Sequence, residues 1–273
     1  MTTQSAADLD GLKARVKTTW MAGDYSRIAT FTEIAANEFI GRRGLRRGMR
    51  VLDVACGSGN LALPAAKAGA NVTGVDIAPN LLVQARERAI KEGASIKFEE
   101  GDAEDLPYQT GTFDLVVTMF GAMFAPRPEI VANELCRVCR RGGEIAIASW
   151  TPTGFIGELF RVTGKHVAPP PGAPSPLLWG DEAVVRARLR GNVTNIKTTK
   201  ILIHLNLPFT VPETVEFYRL HYGPTLRAFA GLVEAGQFEL RRDLEELYLR
   251  HNEAVDGTTS IAAEYLEVIA VRA

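Results

Sequence analysis

Apolar residues along this chain recur with two periods, and the switching between them predicts the architecture. Short apolar runs near residues 50–56, 71–77, 96–102, 113–120 and 143–150 read as strands. Between the first two, Leu61 to Gly69 is rich in Ala and Leu and reads as a helix. After the second, the stretch from about Pro79 to Glu92 sets Leu82, Ala85 and Ala89 on one face, with proline at its start and Gly93 past its end. Strand and helix taken in turn require right-handed crossovers, hence an α/β fold with a mostly parallel sheet and helices on both faces.

The flanks follow different patterns. Residues 1–40 look helical: Leu12, Val16 and Trp20 share a face, and Ile28, Phe31, Ile34 and Ala35 continue after a break at Trp20-Met-Ala-Gly-Asp-Tyr25. Beyond Trp150 the chain turns proline-dense, and residues 151–180 are expected to form an extended connector. Gly180–Leu189 reads as an amphipathic helix and Asn195–His204 as a strand. Two or three helices are expected over residues 212–252, then a last strand over Glu264–Arg272. No internal repeat is visible.

Chemistry enters at the end of the first strand. Val51-Leu-Asp-Val-Ala-Cys-Gly-Ser-Gly-Asn60 is an apolar run around one carboxylate, followed by a glycine turn that opens a helix. Glycines there let backbone approach a ligand that a Cβ would repel. Asp53 lies within the strand, Asp76 ends the next apolar run, and Asp102 closes the one after. A carboxylate at the position of Asp76 can accept two hydrogen bonds from a ribose diol. Three acids in or at the ends of successive strands are poorly explained as caps or solvated loops.

These segments, with Gly74-Val-Asp-Ile77, Gly101-Asp-Ala-Glu-Asp-Leu-Pro107, Phe113-Asp-Leu-Val-Val117 and Arg141-Gly-Gly-Glu-Ile-Ala-Ile147, resemble the class I S-adenosylmethionine (SAM)-dependent methyltransferases. The ubiquinone/menaquinone-biosynthesis type of small-molecule enzyme is the subgroup they look most like. The resemblance implies one Rossmann-like domain with a seven-stranded, mostly parallel sheet and an antiparallel last-strand edge. Residues 1–40 would form N-terminal cap helices, 45–150 the cofactor-binding core, 151–255 cap insertions and an edge strand, and 259–273 the last strand. It further implies that Asp53 orders the turn and faces the ligand's ammonium, while Cys56, Gly57, Ser58, Gly59 and Asn60 bring backbone against its methionyl and ribose parts. Asp76 would take the ribose hydroxyls, Ile77 the adenine face, Asp102 the adenine amino group and Ala103 a ring nitrogen. Phe120 and Gly121 would offer backbone to the amino-acid portion, and Trp20 and Tyr25 would close over the methionine end. The implied product is S-adenosylhomocysteine. Two positions depart from the family pattern: Ala78 stands where a serine is common, and Arg141 where proline is more usual.

Methyl transfer is an in-line displacement, so alignment and exclusion of water matter more than a diagnostic catalytic group. The catalytic residue is left open. Substrate-side candidates are Phe124, His166, Trp179, Tyr218, His221 and Tyr222, with His221 a possible base. Thr118-Met-Phe-Gly-Ala-Met-Phe-Ala-Pro126 lacks the Asn-Pro-Pro-Tyr motif of base and protein amide methylation and the Pro-Cys nucleophile of cytosine-C5 enzymes. Its apolar character suits a small, partly apolar acceptor, at oxygen, nitrogen or carbon. Rival readings are an NAD(P)-dependent oxidoreductase and a SAM-fold protein that binds without turnover. The first lacks a third glycine at the usual place, where Leu61-Ala-Leu63 stands.

Composition narrows the picture further. The 273 residues are 46% hydrophobic and 23% charged with a net charge of −1, so no global charge draws the chain to nucleic acid. The run Arg42-Arg43, Arg46-Arg47 and Arg50 reads as a solvated loop, with no aromatics interleaved for base stacking. No apolar run approaches the roughly 18 residues of a spanning helix, and Met1–Asp10 lacks the pattern of a signal peptide. Cytoplasmic placement without membrane insertion is expected. Cys136-Arg-Val-Cys139 lies in an expected helix over Glu129–Arg140 and reads as a packed pair, since zinc would want four ligands. No metal is expected.

Overall fold

The computed structural model describes residues 6–273, with side chains described from Leu9 onward. The N-terminal stretch holds helices α1 (Ala6–Trp20), α2 (Tyr25–Ala29) and α3 (Glu33–Gly41). The core then runs β1 (Arg50–Val54), α4 (Ala62–Lys67), β2 (Asn71–Asp76), α5 (Pro79–Lys91), β3 (Ile96–Glu100), β4 (Phe113–Met119), α6 (Pro128–Val138) and β5 (Cys139–Trp150). Helices α7 (Phe155–His166) and α8 (Glu182–Leu189) lead to β6 (Val193–Leu207). Finally come α9 (Val211–His221), α10 (Gly223–Ala230), α11 (Glu234–His251) and β7 (Thr259–Arg272).

The seven strands form one sheet in the order β3-β2-β1-β4-β5-β7-β6. Strands β1 to β5 pair in parallel, and β7 lies antiparallel between β5 and β6, so β6 rather than the last strand forms the outer edge. The chain winds outward from β1 to β3, then returns to β4 and winds the other way. Right-handed crossovers in opposite directions put the two sets of helices on opposite faces. The reversal leaves a crevice at the carboxyl ends of β1 and β4, where ligands of such sheets bind.

Central position explains the composition of β1. Val51, Leu52 and Val54 are fully buried because neighbouring strands and both helical layers cover them. Asp53, opposite Gly74 of β2 and Val117 of β4, is almost equally buried, which no packing argument would choose. Helix α5 starts as its proline requires, at Pro79. Ala78 supplies no side-chain cap; the Asp76 carboxylate accepts its N–H instead, at 2.8 Å.

The structure corrects two sequence readings. Residues 151–180 are not an extended connector. They hold α7, whose Phe155, Ile156 and Leu159 are buried, and a short 3-10 turn over Pro176–Gly180, leaving only the intervening prolines extended. Clustered prolines masked an apolar face that lies just ahead of them. The expected helix over Glu129–Arg140 ends at Val138, and β5 begins at Cys139. Cys136 and Cys139 therefore belong to different elements, and both are free and buried.

Helices α7, α9, α10 and α11 pack on one another; α7 and α11 also touch β7, α9 meets α2, and α10 meets α1. An ion-pair cluster ties α9 to α11: Glu216 accepts from Arg219 Nε at 2.8 Å and also pairs with Arg241. These guanidiniums hold the Glu216 pKa down at about 2 from the ordinary 4.5. A carboxyl whose pKa is lowered on folding adds stability above its unfolded pKa and loses it as pH falls through the folded value. The window is therefore pH 4.5 down to about 2. Urea midpoints measured across it should fall more steeply for the wild type than for Glu216→Gln. Because the side chains are a third exposed, the difference at neutral pH should stay near or below about 1 kcal/mol.

Candidate functional site

Four backbone positions in the left-handed region shape the crevice: Ala55 (φ 56°), Gly57 (φ 52°) and Gly59 (φ 88°) after β1, and Phe120 (φ 59°) after β4. Two of these are not glycine, a conformation that costs energy and persists only where surroundings impose it. The Phe120 ring supplies that constraint, stacking on Trp150 with centroids 3.7 Å apart and packing edge-on to Tyr265. Its side chain is thus anchored in the core while its backbone faces the crevice. Next to it, a Cβ on Gly121 would come within 2.6 Å of the Ala55 carbonyl oxygen, so only glycine allows the two strand ends to approach.

The three acids sit around this turn with different partners. Asp76 accepts from the N–H of Gly57 and that of Ala78, each at 2.8 Å, joining the end of β2 to the glycine turn and to α5. Burial raises its pKa, against the pull of those N–H donors. Asp53 is 2% exposed, and its Oδ2 has no partner among the described residues. Burial first, then the charge of Asp76, pushes the Asp53 carboxyl well up. Asp102 accepts from the Glu104 N–H at 2.8 Å and from Lys13 Nζ at 2.5 Å. The Cys56 thiol lies among these groups, and burial with the charges of Asp53 and Asp76 raises its pKa well above the ordinary value.

A cleft of about 990 Å³, counting the solvent at its mouth, gathers most of the sequence candidates. Asp53, Cys56, Gly57, Ser58, Asn60, Asp76, Ile77, Asp102, Ala103, Phe120, Gly121, Trp20, Tyr25 and Phe124 all line it. Gly59 stands behind the turn, its α-carbon facing Phe98, Ala85 and Leu63. Much of the remaining lining is apolar: Val16 and Trp20 from α1, Met119, then Ala122, Phe124, Ala125 and Pro126. Trp20 meets Phe124 and Tyr25 edge-on, at 4.9 and 5.4 Å between centroids. The Tyr25 phenol is pushed up to about 12, by burial and then by the charge of Asp76.

Five substrate-side candidates lie outside the cleft lining. His166 pairs with Asp243 at 2.9 Å and His221 with Arg27 at 3.1 Å, each away from the cleft. Trp179 is 2% exposed beneath Arg188, in the core. Tyr218 and Tyr222 pack as a second layer, with Tyr222 touching Trp20 and Tyr25 and Tyr218 behind it. Three arginines of the run are spent structurally: Arg42 and Arg43 pair with Glu267, and Arg50 with Asp114. Among the described residues no group of His, Cys, Asp or Glu is arranged to hold a metal. Burial raises the thiol pKa of Cys136 to about 11 and of Cys139 to about 12.

Three site residues escaped the sequence reading because their signal is purely tertiary. Arg88 of α5 donates to the Ser58 carbonyl at 2.9 Å and to Asn60 Oδ1 at 2.7 Å, and pairs with Glu33, gripping the glycine turn from outside the cleft. Lys13 of α1 joins the cleft wall beside Asp102. Glu104, whose carboxylate is fully buried, holds Lys13 at 2.8 Å and Arg127 Nε at 2.9 Å.

Comparison with known proteins matches this geometry to a family. A family model described as a methyltransferase domain matches residues 51–143, the segment from β1 into β5. An uncharacterized protein of Mycobacterium tuberculosis is 38% identical over 242 residues, covering 87% of this chain and 88% of its own. A demethylmenaquinone methyltransferase of Deinococcus radiodurans is 40% identical over 129 residues, 45% of this chain and 53% of that enzyme. A Haemonchus contortus phosphoethanolamine N-methyltransferase 2, solved with SAM, has the same fold: TM-score 0.56 at 18% identity over 87% of this chain and 52% of that one. The chain belongs to the class I SAM-dependent methyltransferases. SAM is the methyl donor that membership of this class implies.

The cleft suits that cofactor on its own chemistry. An orphaned buried carboxylate oxygen on Asp53 asks for a cationic or strongly donating group, which an ammonium supplies. Gly57 holds a left-handed backbone (φ 52°) that a side chain would strain, and the Tyr25 ring lies at an ordinary contact distance of 3.8 Å from its would-be Cβ. No helix is long and apolar enough to cross a membrane among the described residues.

Asp53→Asn separates fold from function. The folded pKa of Asp53 is raised, so its stabilising contribution is complete below its unfolded pKa and lost as pH rises through the folded value. At neutral pH the variant should melt at a higher temperature than wild type. Calorimetry should find its affinity for SAM lower by about 10- to 100-fold, the worth of one charge-assisted hydrogen bond.

Proposed function

We propose that this protein transfers the methyl group of SAM to a small-molecule acceptor by in-line displacement. The single observation that carries the residue assignment is the convergence of Asp53, Asp76 and Asp102 with the glycine turn on one cleft. The cofactor supplies an electrophilic methyl on a sulfonium; the chain's residues bind and orient it. Asp53 Oδ2 takes the ammonium, with Gly57, Ser58 and the backbone around Cys56 and Asn60 against the methionyl and ribose parts. Asp76 keeps its two N–H partners and accepts the ribose hydroxyls on its remaining lone pairs. Ile77 covers one adenine face, Asp102 accepts from the amino group, and the Ala103 N–H donates to the ring. Phe120 and Gly121 present backbone to the amino-acid end, while Gly59 acts through the turn alone.

The apolar wall of Trp20, Tyr25 and Phe124 shares the cleft with these acids and is the surface an acceptor meets. It favours a partly apolar small molecule and keeps water from the reacting centre. Tyr218 and Tyr222 back that wall, and α7 and α9 to α11 serve as the cap that carries them. The quinol-type acceptor suggested by the Deinococcus relative stays one member of the class tested here. Three buried free thiols support a reducing, cytoplasmic setting.

Titration calorimetry with S-adenosylhomocysteine, SAM and NADH tests the cofactor assignment. Both sulfur ligands should bind the wild type, Asp76→Ala should lose at least about 30-fold in affinity, and NADH should give no heat. Transfer of labelled methyl from SAM to a panel of phenols, quinols, amines and carboxylates tests turnover. Binding without transfer to any of them would leave a ligand-binding protein in place of an enzyme.

A further inference from the structure

Helix α1 is fastened across the cleft by two unlike ends. Lys13, Val16 and Trp20 line the cleft from one face of the helix. At its carboxyl end the attachment is backbone packing. A Cβ on Gly223 would stand 2.1 Å from the Thr19 carbonyl, and one on Gly23 2.5 Å from that of His221, to which the Asp24 N–H also donates at 3.0 Å. Trp20 adds its aromatic contact with Phe124. One and two turns earlier ionic contacts join the buried Leu12 and the cleft-lining Val16. Lys17 pairs with Glu100, and Lys13 bridges Asp102 at 2.5 Å and Glu104 at 2.8 Å.

The two lysines are not equivalent. Lys17 and Glu100 are substantially exposed, where a pair contributes little. Lys13 reaches a carboxylate that is fully buried and already fixed by Arg127, whose N–H and Nε donate to it at 2.6 and 2.9 Å. If Lys13 withdraws, Glu104 keeps Arg127 and Asp102 keeps the Glu104 N–H, so neither carboxylate is stranded. Only an ammonium moves, and it moves to water. The usual penalty for breaking a buried pair, an unpartnered charge left inside, is thereby avoided.

We propose that α1 is a strap hinged at Gly23–Asp24 and latched by Lys13, and that unlatching Lys13 from Asp102 and Glu104 is the step that admits and releases the cofactor. This rests on the reading above that Asp102 borders the adenosyl group. Lys13 is a positioning residue: it acts through the helix that walls the cleft. The latch is partly exposed, so added salt screens it and speeds ligand exchange.

The test is a chase of labelled S-adenosylhomocysteine from the full chain, with association measured separately, at low and high ionic strength. Wild-type dissociation should accelerate with salt. Lys13→Met should raise the association and dissociation rates together by about tenfold, with a smaller change in Kd and little remaining salt effect. Lys13→Arg should restore near wild-type exchange, and Lys17→Met should change it far less. Salt-independent release by the wild type, or unchanged exchange in Lys13→Met, overturns the latch. Faster release with unchanged association also overturns it, because Lys13 would then be a plain ligand contact. Absence of S-adenosylhomocysteine binding by the wild type overturns the cofactor assignment itself, and the strap with it.

Discussion

The carboxylate of Asp76 is the joint on which the cofactor end of this molecule depends. One oxygen holds the N–H of Gly57 and the other that of Ala78, so a single side chain joins the end of β2, the turn after β1 and the first turn of α5. Its charge is buried, and the N–H donors at a helix start are what make that burial tolerable. Around this joint the other features fall into place. The turn adopts its left-handed glycines, Asp53 is enclosed beneath it, and Arg88 clamps its outer side through Ser58 and Asn60.

Energy is spent locally to keep the crevice open. Asp53 sits with an unpartnered oxygen, and Ala55 and Phe120 hold backbone conformations that their side chains disfavour. The surroundings enforce both. Phe120 is pinned by Trp150 and Tyr265 from β5 and β7, so the antiparallel part of the sheet, remote from the glycine turn in sequence, fixes the backbone that faces it. The seven-stranded order thus does more than fill the core: β7 helps set the far wall of the site.

How much of this was readable from residues alone depended on the range of the interaction. The parallel core was legible because four of its five strands are short apolar runs bordered by glycine, and the edge strand β3 alternates apolar and charged residues. The acids were legible because they fall in or at the ends of those runs. Arg88, Lys13 and Glu104 were not, since an arginine on an amphipathic helix or a lysine near the N-terminus looks solvated until its partner is known. The same logic misled in the other direction for His166 and His221, whose polar partners Asp243 and Arg27 are distant in sequence and lie off the cleft. Helix α7 was hidden by the prolines that follow it, and Cys139 by a helix-to-strand change that no turn residue announces until Gly142.

The placement of the aromatic residues has an optical consequence. The chain has three tryptophans, and Trp150 and Trp179 are buried, at 7% and 2% exposure, in surroundings that a ligand in the cleft does not touch directly. Trp20 alone of the three has its indole in the cleft wall, edge-on to Tyr25 and Phe124. Trp20 therefore gives the emission that meets occupancy directly, while Trp150 stands one ring behind the cleft, stacked on Phe120. A change in intrinsic fluorescence on filling the cleft reports chiefly the Trp20 cluster, and the molecule carries its own gauge of whether the site is full.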